Sequence, residues 1–142
     1  MSVRSWPNVW MNIAKLIADQ RGYDPRLKVA AVIVPEDNSS ILSFGYNGNS
    51  PGEPNVPDSL DEGKSGFIHA ELNACLMCPD THKKKIMYVT HSPCLMCSKV
   101  IVRSEISRVV YDVEYRDTSG LALLKRAGIE VFSLKELLGK AS

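Results

Sequence analysis

The sequence predicts an α/β fold, a three-layer α/β/α sandwich built on a mixed five-stranded sheet. Three observations lead there. Helix-like and strand-like segments alternate in the order α-β-β-α-β-α-β-α-β-α. Residues 27–34 (Leu-Lys-Val-Ala-Ala-Val-Ile-Val) are apolar and β-branched almost throughout, the composition of a strand covered on both faces. The chain has 142 residues, 44% apolar and 23% charged, the size and composition of one domain spanning 1–142 with its own core.

The first helix starts at Ser5 with Pro7 in its first turn, where proline sacrifices no hydrogen bond. Trp6, Trp10, Ile13 and Ile17 then recur at helical spacing and mark its buried face, and Gly22 ends it. The run 27–34 is the first strand, closed by Pro35. The polar turn 36–40 leads to a second strand over 41–46, so the two form an antiparallel hairpin. Residues 47–66 hold four Gly, three Pro and three Asn without periodicity, and a loop of this length inside a compact domain is usually functional. A helix is expected over 67–78, broken by Pro79, with Ile68, Leu72, Cys75 and Leu76 on its apolar face. Then follow a strand over 86–90, a helix over 94–103 behind Pro93, and a strand over 109–111. A helix over 119–127 stops at Gly128 and a short strand covers 129–132. The capping box Ser133-Leu-Lys-Glu136 opens a last helix. The later strands follow βαβ crossovers and are expected to run parallel.

Lys and Arg total 17 against 16 Asp and Glu, so no basic surface argues for nucleic acid. The run Lys83-Lys84-Lys85 reads as a solvated turn before a strand. No signal peptide or membrane-spanning stretch is visible, and the expected location is the cytoplasm. In that reducing compartment Cys75, Cys78, Cys94 and Cys97 are metal ligands or core residues rather than disulfides.

Two zinc readings compete for these cysteines. One takes all four, as two Cys-x-x-Cys pairs fifteen residues apart, the spacing of a structural ribbon. The other takes His69, Cys94 and Cys97 and holds Glu71 back from the metal. Ribbon cysteines sit on tight Gly-rich knuckles, whereas Cys75 and Cys78 lie in a helical stretch, which favours the second reading. Cys75 is then a small core residue, and Cys78 is left without a role. Two thiolates and one imidazole neutralise Zn²⁺ and leave a coordination position open, as catalytic sites do. Cys94 and Cys97 at a helix start gain from free N–H groups and the helix dipole. A redox role for Cys94-x-x-Cys97 is the blander alternative. His82 and His91 have no partner spacing and read as surface or strand-end residues.

The motifs Lys28-Val-Ala-Ala-Val-Ile-Val34, Phe44-Gly-Tyr-Asn-Gly48, His69-Ala-Glu71, Ser92-Pro-Cys-Leu-Met-Cys97 and Val110-Tyr-Asp-Val-Glu-Tyr-Arg-Asp117 together resemble the cytidine deaminase superfamily, and within it the deoxycytidylate (dCMP) deaminases. Ala30 departs from the glycine more usual there. The resemblance implies the cytidine deaminase-like fold and hydrolysis of dCMP to dUMP and ammonia by a zinc-activated water, supplying dUMP for thymidylate synthesis. It implies His69, Cys94 and Cys97 as zinc ligands, one ion per chain, and Glu71 as the proton carrier. Asn47 would hold the deoxyribose, the Ala70 N–H the pyrimidine oxygen, and Arg26 with Tyr115 the 5′-phosphate. It further implies a homo-oligomer, often a hexamer, activated by dCTP with Mg²⁺ and inhibited by dTTP, through residues the sequence does not mark. The alternatives are a deaminase of nucleosides or of bases in tRNA or single-stranded DNA, and a non-catalytic zinc module.

Overall fold

A computed structural model of the chain describes residues 4–61, 64–79 and 84–140. His82 and Lys83 lie outside these. Ten elements follow in the expected order: α1 (Trp6–Arg21), β1 (Ala30–Pro35), β2 (Ser43–Tyr46), α2 (Ala70–Met77), β3 (Lys85–His91), α3 (Leu95–Arg103), β4 (Ile106–Val113), α4 (Ser119–Arg126), β5 (Glu130–Ser133) and α5 (Leu134–Lys140). The strands form one sheet in the order β2-β1-β3-β4-β5. β1 pairs antiparallel with both β2 and β3, while β3, β4 and β5 run parallel, so the sheet is mixed.

Alternation along the strands distributes the core over two faces. Ala31, Ile33, Met87, Val89 and Val109 point to α2, α3 and α4, where Ala74, Ile101 and Leu124 meet them. Val32, Val34, Ile86, Tyr88 and Val110 point the other way, to Trp10, Met11 and Ala14 of α1 and Leu134 of α5. Both faces of the sheet are thus covered, which is why 30–35 is buried at every position. Each fully buried Leu or Ile contributes about 1.5–3 kcal/mol.

Several boundaries differ from expectation. β1 begins at Ala30, not residue 27, because the Asn47 side chain replaces a strand partner for the residues before it. Its Nδ2 donates to Leu27 O (2.7 Å) and its Oδ1 accepts from Val29 N (3.0 Å). β2 begins at Ser43, two residues later than expected, and β4 runs longer than 109–111. In α1 the deepest line is Trp10, Met11, Ala14 and Ala18. Trp6 is 50% exposed and stacks on Trp10 at 5.0 Å, so the buried stripe is rotated from the one its spacing suggests. α2 begins at Ala70, with His69 as its N-cap. Its buried residues are Ala70, Glu71 and Ala74; Leu72 and Cys75 are half-buried and Leu76 is exposed. Lys85, read as part of a solvated run, opens β3 and is buried.

The caps behave as their sequences require. The Ser133–Glu136 box is reciprocal: Glu136 N–H donates to Ser133 Oγ (3.0 Å) and Ser133 N–H to Glu136 Oε1 (3.3 Å). Gly128, with φ +83°, takes the left-handed conformation that ends α4.

Candidate active site

All the site residues lie at one end of the sheet. There the N-termini of α2 and α3 meet the C-terminal end of β3, the usual location of sites in open α/β sheets. α2 is fastened to β2 by Ser43 Oγ donating to Ala74 O (2.7 Å) and Asn73 Nδ2 donating to Tyr46 O (2.9 Å). Just before the helix, Gly48 and Ile68 exchange backbone hydrogen bonds (3.2 and 2.9 Å). His69 is therefore held at the helix entrance with Glu71 inside the first turn. α3 starts after Pro93 with Cys94 as N-cap, its Sγ accepting from Cys97 N at 3.5 Å.

The two helix ends bring His69, Cys94 and Cys97 together, with ligand atoms all within 4.8 Å of one another. His69 Nδ1 stands 3.1 Å from Cys97 Sγ and 3.7 Å from Cys94 Sγ. Donors bound about 2.0–2.3 Å from one tetrahedral ion stand roughly 3.3–3.8 Å apart, so this arrangement fits zinc. The donor set agrees, since two thiolates and an imidazole suit Zn²⁺. Cys94 is pulled down to about 4, first by its hydrogen bond with the Cys97 thiol and then by His69. The Cys97 thiol is pushed up by the same neighbour and by burial. The two shifts run in opposite directions because the two thiols share one hydrogen bond. Cys75 and Cys78 are not part of this group. Burial raises Cys75, as befits a neutral thiol packed against the core.

Glu71 is 5% exposed, and burial pushes its carboxyl up to about 7, against the opposing pull of His69. A carboxyl so placed is poised to take up and release a proton near neutral pH. It opens onto a cavity of about 330 Å³, lined also by His69, Ala70, Cys94, Asn47, Arg26 and Tyr115. Every substrate-side residue singled out in the sequence thus faces one cavity. Asn47 is 6% exposed and spends one amide N–H and one lone pair on the 27–29 segment, which leaves one N–H for a ligand. Ala70 is the first residue of α2, so its N–H has no helical partner. Arg26 Nη1 donates to Leu60 O, tying the 47–66 loop to the cavity wall.

Sequence reasoning passed over other lining residues. Asp24 and Asp61 line the same cavity as Arg26, and Phe67 and Ser65 complete the loop side. Ser92 Oγ accepts from Tyr115 N–H (2.7 Å) and so positions the Tyr115 segment. Ser92 stood inside the quoted motif, and only its distance in sequence from Tyr115 hid the contact. His91 does end β3, as expected, but it also lines the cavity, where burial lowers its pKa.

Residues 4–113 match the family model described as the cytidine and deoxycytidylate deaminase zinc-binding region. The chain belongs to this family. The chain is 35% identical to ComE operon protein 2 of Bacillus subtilis, over 89% of this chain and 70% of that protein. It is 34% identical to human deoxycytidylate deaminase, over 87% of this chain and 76% of that protein. Among solved structures it resembles the dCMP deaminase of cyanophage S-TIM5 in complex with dCMP and dUMP. That match has a TM-score of 0.77 and 33% identity, covering 88% of this chain and 93% of the phage chain. The site comprises one histidine, two cysteines and one glutamate at two helix starts.

Proposed function

We propose that this chain, as a single deaminase domain over 1–142, hydrolyses dCMP to dUMP and ammonia, a source of dUMP for thymidylate synthesis. The observation that carries the proposal is the buried Glu71 carboxyl at the wall of a cavity that also contains the His69–Cys94–Cys97 group. The cyanophage relative in complex with dCMP and dUMP supports the choice of substrate. His69, Cys94 and Cys97 would hold one zinc ion. When bound, zinc supplies a nucleophile from water near neutral pH. Glu71 would take a proton from the attacking water and deliver it to ring N3 of the cytosine, then move the proton left on the new C4 hydroxyl to the departing amine, so that a C4–O bond forms as the C4–N bond breaks. The Ala70 N–H holds the pyrimidine oxygen, Asn47 the deoxyribose, and Arg26 with Tyr115 the 5′-phosphate. The balance is dCMP plus water to dUMP plus ammonia.

A second reading, deamination of the nucleoside, is favoured by Asp24 and Asp61, which share the cavity with Arg26 and oppose a phosphate. Rates on the two substrates decide between them. Arg26 is exposed, not buried as a closed phosphate subsite would require, but without the 5′-phosphate its guanidinium still loses the anion it would pair with when deoxycytidine binds. dCMP is therefore expected to exceed deoxycytidine by at least about 10³-fold in kcat/KM, roughly 4 kcal/mol. Comparable rates on both would establish the nucleoside reading. With a net charge of +1, nucleic acid is not the proposed partner. Nor is a membrane, and no helix among the described residues is long and apolar enough to cross one. The proposed location is the cytoplasm.

The proposal extends to regulation in a homo-oligomer, of hexameric order, activated by dCTP with Mg²⁺ and inhibited by dTTP. Leu76 and Met77 on α2, Met96 on α3 and Phe44 on β2 expose apolar surface suited to self-association. Residues 47–66 join Asn47 at the cavity to His69 at the metal group, so a nucleotide that orders this loop acts on both. Coupling of about 1–3 kcal/mol corresponds to a 5- to 150-fold change in affinity. The expected dCMP saturation curve is sigmoidal, made hyperbolic by dCTP and moved to higher concentration by dTTP. A hyperbolic curve indifferent to both, from a protein that sediments as a monomer, would rule regulation out.

A further inference from the structure

The metal group draws its donors from two helices that share no covalent turn. His69 enters α2, Cys94 and Cys97 open α3, and β3 lies between them in the chain. A shared ion tolerates little change in their separation, so something must set how deeply each helix sits. Two glycines stand at those contacts. Gly45, on β2, lies under the first turns of α2. A methyl built there would be 2.5 Å from Ala74 N, 2.8 Å from Asn73 Cβ and nearer still to Ala70 O. Gly120, in the first turn of α4, lies against the cap of α3. A methyl there would be 2.7 Å from Ser98 Oγ, 2.8 Å from Cys94 O and nearer still to Pro93 O.

Ser98 Oγ could rotate away, but the nearest neighbour of each methyl is a backbone carbonyl, Ala70 O or Pro93 O, which cannot swing aside to make room. The Cys94 carbonyl accepts the first helical bond of α3, from Ser98 N at 2.9 Å, so pushing it moves the ligand and its helix together. Ser98 Oγ is buried without a hydrogen-bond partner among the described residues. Neither glycine has a positive φ, so what each supplies is space. Gly139 is the contrast, with nothing within 4 Å of the same hypothetical methyl.

We infer that Gly45 and Gly120 are positioning residues that set the distance between His69 and the Cys94–Cys97 pair, one by seating α2 on the sheet and the other by seating α4 on the cap of α3. The inference rests on the metal-site reading above. Neither glycine touches metal or substrate; each acts through the backbone it allows to approach.

The test measures metal binding in the full-length chain, apart from turnover. Zinc affinity is read by competition with a chromophoric chelator, and ligand geometry by the visible absorption of the Co²⁺ form. Gly45→Ala and Gly120→Ala are each expected to lower zinc affinity about 10- to 100-fold, the range seen when support around a ligand set is disturbed, and to alter the thiolate-to-cobalt bands. Leu124→Ala, a core truncation in α4 away from the ligands, is expected to lower the Tm with wild-type affinity and spectrum. Gly139→Ala is expected to change neither.

Should Gly120→Ala fail to fold, Gly45→Ala tests the inference at the other helix. Glycine variants that bind zinc within about twofold of wild type and keep its cobalt spectrum overturn the inference alone, as does an equal loss in Leu124→Ala. A wild-type chain that binds neither zinc nor cobalt overturns the metal-site reading and the inference with it.

Discussion

Cys94→Ala is expected to leave the chain without stoichiometric zinc and with turnover at the detection limit, whereas Cys75→Ala keeps one zinc per chain. The two cysteines differ in surroundings more than in chemistry. Cys94 sits at the start of α3, where the Cys97 thiol, its N–H and His69 hold it as a thiolate with a pKa of about 4. Removing it takes one of three donors from the group. Cys75 lies half-buried against the core with its thiol pushed up by burial, which makes it a poor ligand and an ordinary packing residue. Its loss is expected to cost about 1 kcal/mol, a Tm decrease of about 2–4 °C for a chain of this size. Metal analysis and a thermal melt of both variants check this. Release of the metal by Cys75→Ala would revive the four-cysteine site.

Glu71→Gln is expected to bind zinc and keep the fold but to lose at least about 10²-fold in kcat, about 2.7 kcal/mol of transition-state stabilisation. The glutamine matches the buried side chain in shape but cannot carry a proton. Because the carboxyl acts as the proton moves, kcat and kcat/KM should fall together, with KM for dCMP little changed. A rise in KM at unchanged kcat would instead make Glu71 a binding group. Near-normal turnover would remove it from the mechanism. Glu71 reaches this role through position: it is the one buried carboxylate among the described residues, and it lines the cavity beside His69.

Much of this was legible in the chain. Element order, the antiparallel hairpin and the parallel crossovers follow from local periodicity and turn residues, which are properties of short segments. The convergence of His69, Cys94 and Cys97 was also legible, because His69-Ala-Glu71 and Cys94-x-x-Cys97 are local patterns whose spacing encodes their geometry at a helix start. The four-cysteine ribbon could be disfavoured for the same reason, since Cys75 and Cys78 lie in and at the end of a helix.

What the tertiary structure alone decided concerns contacts between residues far apart in sequence. The rotated buried face of α1, with Trp6 outside it, depends on how the helix lies across the sheet. The late start of β1 depends on Asn47, eighteen residues beyond Val29, satisfying backbone groups that a strand partner would otherwise pair. Burial of Lys85, the Ser92 hydroxyl beneath the Tyr115 backbone, and His91, Asp24 and Asp61 on the cavity wall leave no periodic trace. The raised pKa of Glu71 is likewise a consequence of desolvation, a property of its surroundings and not of its spacing from His69. The sequence thus determined which residue types meet at the site, through patterns a few residues long. The packing of two helix starts against one sheet decided how close they come and how dry the site is, because distance and burial are set by neighbours the local pattern does not contain.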